Sequence, residues 1–322
     1  YLEGVQTAYS ESGGSPFIAS VQADFKQKFK AGMLTAGAKL TYRSNDIYHQ
    51  FYEGGEYSDA FSNDLLHTEL IPAAYVLFSS KIGKKFTYKA GLRGEFSTVT
   101  LTSSHEGLDV RNNDFFVSPS LSGTLRLAEN QDLSLAFSRR VGRPAYPQLN
   151  PYMSMVDATT YEQGNMHLRP EKSSKLDFSY NFRSSKVQIF ADAYMNYTTD
   201  YISQITKISD GLLITTYING TSDLKTGADL SLKLVPAKWM SATLSANTFY
   251  VNTKGNFEGA DIDNRGVSNN SNILLDFLPG KSTDIQLQYF LTTPQYYPQL
   301  TTALTHYMNV GVKQKFLKGA MS

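Results

Sequence analysis

Polar and apolar residues alternate one for one along much of this chain. In "KFTYKAGLRGEF", Phe86, Tyr88, Ala90, Leu92 and Phe96 fall on one side and Thr87, Lys89, Arg93 and Glu95 on the other. That period of two is the signature of an extended strand with unlike faces. The pattern recurs with Leu34, Ala36, Ala38, Leu40 and Tyr42 against Thr35, Lys39, Thr41 and Arg43, and with Phe115, Val117, Leu121 and Leu125 against Ser118, Ser120, Ser122 and Arg126. Leu176, Phe178, Tyr180 and Phe182 oppose Lys175, Asp177 and Asn181; Val187, Ile189, Ala191 and Ala193 oppose Gln188, Asp192 and Asn196; Ile285, Leu287, Tyr289 and Leu291 oppose Asp284, Gln286 and Gln288. Thirteen such strands are read in all, many of ten residues or more. Sandwich strands average roughly 5 to 6 residues, whereas strands that cross a bilayer need roughly 9 to 11.

The connections separate a sandwich from a barrel in lipid. Short turns are expected near 30–32, 81–85, 128–131, 183–186, 236–238 and 279–282, and long loops at 45–67, 99–113, 141–173, 200–222, 252–268 and 293–303. Turn and loop alternate along the chain, so in an up-and-down sheet all turns lie at one end and all loops at the other. That asymmetry predicts an all-β, transmembrane, antiparallel β-barrel in a bacterial outer membrane, with turns in the periplasm and loops outside.

Composition narrows this picture. With Lys plus Arg at 30 and Asp plus Glu at 29 there is no electrostatic footprint for nucleic acid. The absence of cysteine removes disulfides and thiolate chemistry. No run of about 18 apolar residues exists to form a membrane-spanning helix. The 21 Tyr and 19 Phe suit aromatic girdles. No cofactor and no metal site is read. The five histidines lack a zinc spacing. "DIDNRG" (261–266) resembles a calcium loop but carries Arg265 where an oxygen ligand is needed. His105 stands beside Ser103, Ser104 and Glu106 with no scaffold for a triad, so no enzyme is expected.

The pattern breaks in "SRRVGRPAYPQLNPYMSMVDATTYEQGNMHLRPEKS" (138–173), where Pro144, Pro147, Pro151 and Pro170 stop ladder pairing and Asn150, Gly164 and Asn165 supply turns. This predicts an ordered loop at the barrel mouth. Its candidates for a ligand contact are Arg139, Arg140, Arg143, Arg169 and His167 with Tyr146, Tyr152 and Tyr161, a mixture suited to an anionic or sugar-like ligand. Loop packing is the competing role for each. Arg140 is expected to point inward, where it could fix the loop to the lumen wall or to a plug through a carboxylate. Lys39, Arg43, Lys89, Arg93, Glu95, Arg126, Asp177 and Asp192 are expected to line the lumen.

Arg143, Pro144, Tyr146, Leu149, Asn150 and Pro151, followed by Tyr161, Gly164, Asn165, Leu168, Pro170 and Glu171, resemble the "RPxYxxLNP … GNxxLxPE" signature of TonB-dependent outer-membrane receptors of the Bacteroidota β-barrel type. Met166 and His167 stand where many members carry proline. The resemblance implies a barrel of about 22 strands closed by an N-terminal plug, with residues 1–322 as one part of the barrel. Roughly seven strands would precede residue 1 and roughly two would follow residue 322. The opening residues have no features of a signal peptide. The partners implied are outer-membrane lipid, the chain's own plug and a TonB-type energy-transducing protein; the function implied is active uptake of a ligand not identified by the residues. The competing reading is a barrel scaffold that docks a surface lipoprotein without transport.

Overall fold

Alternating residues with unlike faces stay extended because each strand can bury one face and wet the other only in that conformation. The computed structural model describes residues 8–103, 109–280 and 282–315. In chain order the strands are β1 (Ala8–Phe29), β2 (Gly32–Glu53), β3 (Glu56–Tyr57), β4 (Asn63–Ile82), β5 (Phe86–Ser103), β6 (Val110–Ala128) and β7 (Gln131–Gly142). A one-turn helix α1 (Tyr146–Leu149) and the short strands β8 (Met153–Met155) and β9 (Thr160–Gln163) follow. Then come β10 (Glu171–Arg183), β11 (Val187–Ser209), β12 (Leu212–Ala237), β13 (Met240–Phe257), β14 (Ala260–Phe277), β15 (Thr283–Thr292) and β16 (Thr305–Gln314).

The thirteen long strands pair antiparallel with their neighbours in chain order, from β1 to β16, in a sheet that is not closed. The thirteen expected strands and the six expected tight turns coincide with these elements; Lys281, within the last turn, and His105 and the final "LKGAMS" lie outside the described residues. Among the described residues no helix is long and apolar enough to cross a membrane.

The long connections differ from expectation. Residues 200–222 are not a loop: β11 and β12 run on and reverse at Asp210–Gly211, with a bulge between Thr198 and Ser203. Likewise β13 and β14 reverse at Glu258–Gly259, so most of 252–268, "DIDNRG" included, is ladder. The turn residues Asp210, Gly211, Glu258 and Gly259 have φ of 51°, 81°, 50° and 85°, the twist of a two-residue hairpin turn. At 45–67 and 99–113 the ladders also extend, β2 to Glu53 with β4 from Asn63, and β5 to Ser103 with β6 from Val110. Outside a bilayer both faces of a strand meet water, so the alternation fades while the hydrogen bonding persists. Among the described residues, 143–170 and 293–304 are the long connections between neighbouring long strands.

Ladder partners share a face, so register carries the side from strand to strand. Lys39 pairs with Ala73, Ala73 with Glu95, and Glu95 with Phe116. Lys89 pairs with Ser122, Ser122 with Ala136, and Ala136 with Asp177. Ser179, two residues on, pairs with Asp192. Arg43 with Glu69, Arg93 with Ser118 and Arg126 with Asp132 belong to the same side. All eight residues read as lumen-facing therefore share one face, here called the inner face, and Phe86, Tyr88, Leu92, Phe178, Tyr180, Ile189, Leu287 and Tyr289 share the other.

Candidate functional site

The 143–170 loop folds onto the inner face. Leu149, Met166 and Leu168 from the loop bury with Leu65 of β4 and Leu101 of β5, and Val99, Val110, Tyr146, Ile202 and Tyr217 pack around them. Each such side chain contributes about 1.5–3 kcal/mol on full burial, which holds the loop against the wall.

A chain of charges lies beside this cluster. Arg143 reaches Glu69 with Nε at 2.7 Å and Glu95 with Nη2 at 2.5 Å. The Nε contact is an ion pair whose angle falls outside a hydrogen bond. Glu69 is held from the other side by Arg43 at 3.2 Å and by the Ser97 hydroxyl at 3.4 Å, and Glu95 by Arg93 at 3.0 Å. Both carboxylates are buried, at 3% and 6% relative exposure, and a buried carboxylate persists only when paired. Three guanidiniums on two carboxylates leave the group one positive charge in excess. Arg143 is the member supplied by the loop, from the first residue after β7.

The two halves of the proline-rich signature meet as one unit. Gly164 N donates to Asn150 O at 2.6 Å and Asn165 N to Gln148 O at 2.7 Å. A Cβ at Gly164 would lie 2.5 Å from Asn150 O and 2.6 Å from Asn150 N, so only glycine permits the approach. The Gln163 amide donates to Pro151 O at 2.7 Å. The Gln148 side chain accepts from Ala145 N at 2.7 Å, closing the first turn of α1. From outside the loop, Asn219 of β12 accepts from Arg169 N at 2.7 Å and donates to Arg169 O at 2.9 Å and Asp200 O at 2.7 Å. Asn165 donates to Tyr217 O at 3.0 Å. β9 adds to β12 as a parallel strand, with Tyr161 beside Ile214.

The eight mouth-loop candidates do not form one cluster. Arg143 and Tyr146 sit under the loop, where they line a cavity of about 300 Å³ with Arg43, His67, Glu69 and Asp114. Burial pushes the Tyr146 phenol up to about 12. The Tyr152 hydroxyl lies 2.6 Å from that of Ser103. His167 and Arg169 are exposed. Arg139 pairs with Ser174 on the face opposite the loop, while Arg140 pairs with Ser173 on the inner face. Arg140 makes no ion pair among the described residues; the contact to the wall carboxylates is made by Arg143, which is past the last ladder position and free to turn toward the wall. Of the inner-face residues, Arg126 pairs with Asp132 at 3.7 Å, Asp177 with Lys175 at 2.5 Å, and Asp192 accepts from Ser179 at 2.6 Å. Asp261 and Asp263 of "DIDNRG" lie two residues apart on one face of β14, with Arg265 next along the same face. Sequence reading missed Glu69, Ser97 and Asn219. The signal for Glu69 was a lone carboxylate within the apolar run "LHTELIPAAYV".

Comparison with known proteins agrees with this architecture. The copper transporter OprC superposes with a TM-score of 0.70 at 13% identity, covering 94% of this chain and 48% of that one. The ferric citrate transporter FecA gives 0.62 at 12% identity over 96% and 48%, and the siderophore receptor PiuA from Acinetobacter baumannii 0.61 at 11% over 94% and 49%. The chain thus spans about half the length of these structures, and likeness at such identity concerns the fold. No curated protein sequence matches it. Residues 5–322 match the outer membrane protein beta-barrel family, and the chain belongs to that family, as a β-barrel chain of the bacterial outer membrane.

Proposed function

We propose that the chain forms the larger part of the barrel of a TonB-dependent receptor of the Bacteroidota type, which takes a ligand actively across the outer membrane. In this reading residues 1–322 are one portion of a single barrel domain, the inner face lines the lumen, and a plug supplied by the same protein fills it. A TonB-type protein relays the energy that displaces the plug. Support comes above all from the loop that folds inward and is fixed to the wall through Arg143, Glu69 and Glu95. A scaffold needs loops that project, whereas a receptor needs loops that cover the entrance and meet what arrives there. The solved structures of like fold are transporters of copper and of ferric chelates, which makes those cargoes the first to try.

The test is accumulation by cells that make the full-length protein. Copper ions, ferric citrate and a ferric siderophore are supplied in turn, together with neutral trisaccharides. Accumulation of at least one that stops when the proton gradient is dissipated supports the reading. Failure of all to accumulate, together with copurification of a surface lipoprotein, would replace it by the scaffold.

A further inference from the structure

The face opposite the inner one carries a groove near the tight turns. Across β5, β6, β7 and β10 one apolar row of that face runs Tyr88, Gly123, Leu135 and Phe178. Glycine leaves the sheet bare between two large neighbours. The result is a groove of about 610 Å³, within the roughly 300–1,000 Å³ of ligand pockets, with no charged side chain in its lining. Phe86 and Tyr88 form one bank, their rings 6.2 Å apart and 22° from parallel, and Phe137 and Phe178 form the other. The Phe86 ring leans to within 3.0 Å of where a Cβ at Gly123 would stand, so a side chain there would push the bank aside. Along β6 the groove runs from Leu125 to Leu121, about 13 Å at the usual rise. One leaflet contributes about 15 Å of hydrocarbon. The groove therefore lies within a single leaflet.

The turn end of the groove is basic. Arg126 N of β6 donates to Lys85 O at 2.8 Å, which fixes the 83–85 turn at the end of the groove. Lys84 and Lys85 are exposed there and make no ion pair among the described residues. The adjoining turn carries one carboxylate, Glu129, and Asp132 beyond it is paired with Arg126 at 3.7 Å. The same sign recurs around this end of the sheet. Among the described residues the tight turns carry Lys30, Lys84, Lys85, Lys186 and Lys238 against Glu129, whereas the short connections at the other end carry Asp59, Asp109, Asp210 and Glu258 with no lysine or arginine. A net charge of +1 conceals this separation. Phe29 precedes Lys30, Phe86 follows Lys85 and Trp239 follows Lys238. An aromatic beside a lysine is suited to the headgroup level of a bilayer, where the ring sits at the interface and the ammonium reaches the phosphates. An apolar slot within one leaflet, headed by two unpaired lysines, matches a lipid with acyl chains and a net negative phosphate. A zwitterionic lipid would bring an ammonium of its own to the lysines, which disfavours it.

We propose that this groove is a site for an anionic phospholipid of the leaflet that meets the tight turns, with its phosphate on Lys84 and Lys85 and an acyl chain laid over Gly123. The site needs no cargo and holds whether or not the protein performs uptake. The experiment is native mass spectrometry of the full-length protein, delipidated in neutral detergent and supplied with phosphatidylglycerol, phosphatidylcholine or lipopolysaccharide, with sodium phosphate as a competitor. Each variant is first shown to be folded by its heat-modifiable electrophoretic mobility. The expected result is retention of one phosphatidylglycerol in preference to phosphatidylcholine, undisturbed by sodium phosphate. Retention should weaken about thirtyfold when Lys84→Gln and Lys85→Gln are combined. It should be lost in Leu135→Trp, which fills the groove from a lipid-facing position, and be unchanged when Lys186→Gln and Lys238→Gln are combined. Equal retention of the two phospholipids, displacement by sodium phosphate, or retention that ignores both groove variants would each overturn the proposal. So would a preference for lipopolysaccharide, or a lipid-free dimer in which a second copy covers the groove.

Discussion

At the scale of single residues, Arg143 decides whether the mouth loop is docked. Arg143→Ala removes a charged partner from two buried carboxylates, yet Arg43 and Arg93 remain on them. We expect a cost of about 2 kcal/mol, less than the 3–5 kcal/mol of stranding a buried charge. The barrel should assemble normally, because Arg143 contributes no ladder bond. Limited proteolysis should cut within 153–163 faster in the variant, with unchanged heat-modifiable mobility; equal cutting would show that the apolar cluster alone holds the loop. Tyr146 gives a second readout. Burial pushes its phenol up from the usual range to about 12. The folded state therefore holds this proton more tightly than the unfolded chain does, so the contribution is whole below pH 10 and is lost as pH rises toward 12. A phenolate difference titration of the protein against Tyr146→Phe should show one step missing near the top of that range, and loop cutting in the wild type should rise over the same interval. A step at the ordinary pH of an exposed tyrosine would mean that the ring is not covered.

Elements explain what the sequence allowed one to read and what it did not. Strands buried on one face announce themselves, because each misplaced residue would put a charge in lipid; the thirteen long strands and their turns were legible for that reason. Above the bilayer that constraint ends. There "SDGL" and "FEGA" carried the remaining information, since Asp–Gly and Glu–Gly at the tip of two polar runs specify a tight hairpin, and the segments around them were taken for loops. The loop itself was legible as ordered through its prolines, and its closing contact through Gly164. Its anchors were not, because Glu69 and Asn219 lie far away in sequence and only register brings them near. Asn219→Ala tests the second anchor. It deletes the contacts to Arg169 and Asp200, at an expected cost of about 1–2 kcal/mol. Hydrogen exchange should quicken at Arg169 and its neighbours while the ladder of β12 with β13 stays protected; exchange spread along β12 would assign Asn219 to the sheet instead.

For the whole molecule, the alternation of tight turns and longer connections fixes a direction in the membrane. All tight turns of the set that includes Asn130 and Ser185 should face the periplasm, and Ser58, in the connection between β2 and β4, should face the medium. Epitope tags at Asn130 and Ser58 in the full-length protein, read on intact cells, should show Ser58 alone. The opposite staining would invert the barrel and place the docked loop on the periplasmic side, where it could not meet an incoming ligand.

The charge chain beneath that loop has a consequence for its motion. It is built as guanidinium, carboxylate, guanidinium, carboxylate, guanidinium, with Arg143 in the middle and Arg43 and Arg93 at the ends. If the loop lifts away and takes Arg143 with it, the wall is left with Arg43 on Glu69 and Arg93 on Glu95, two self-sufficient neutral pairs. Neither state strands a charge, so the loop can leave and return without the wall having to rearrange. The excess positive charge travels with the loop, and an anion in the medium can hold it in the open position.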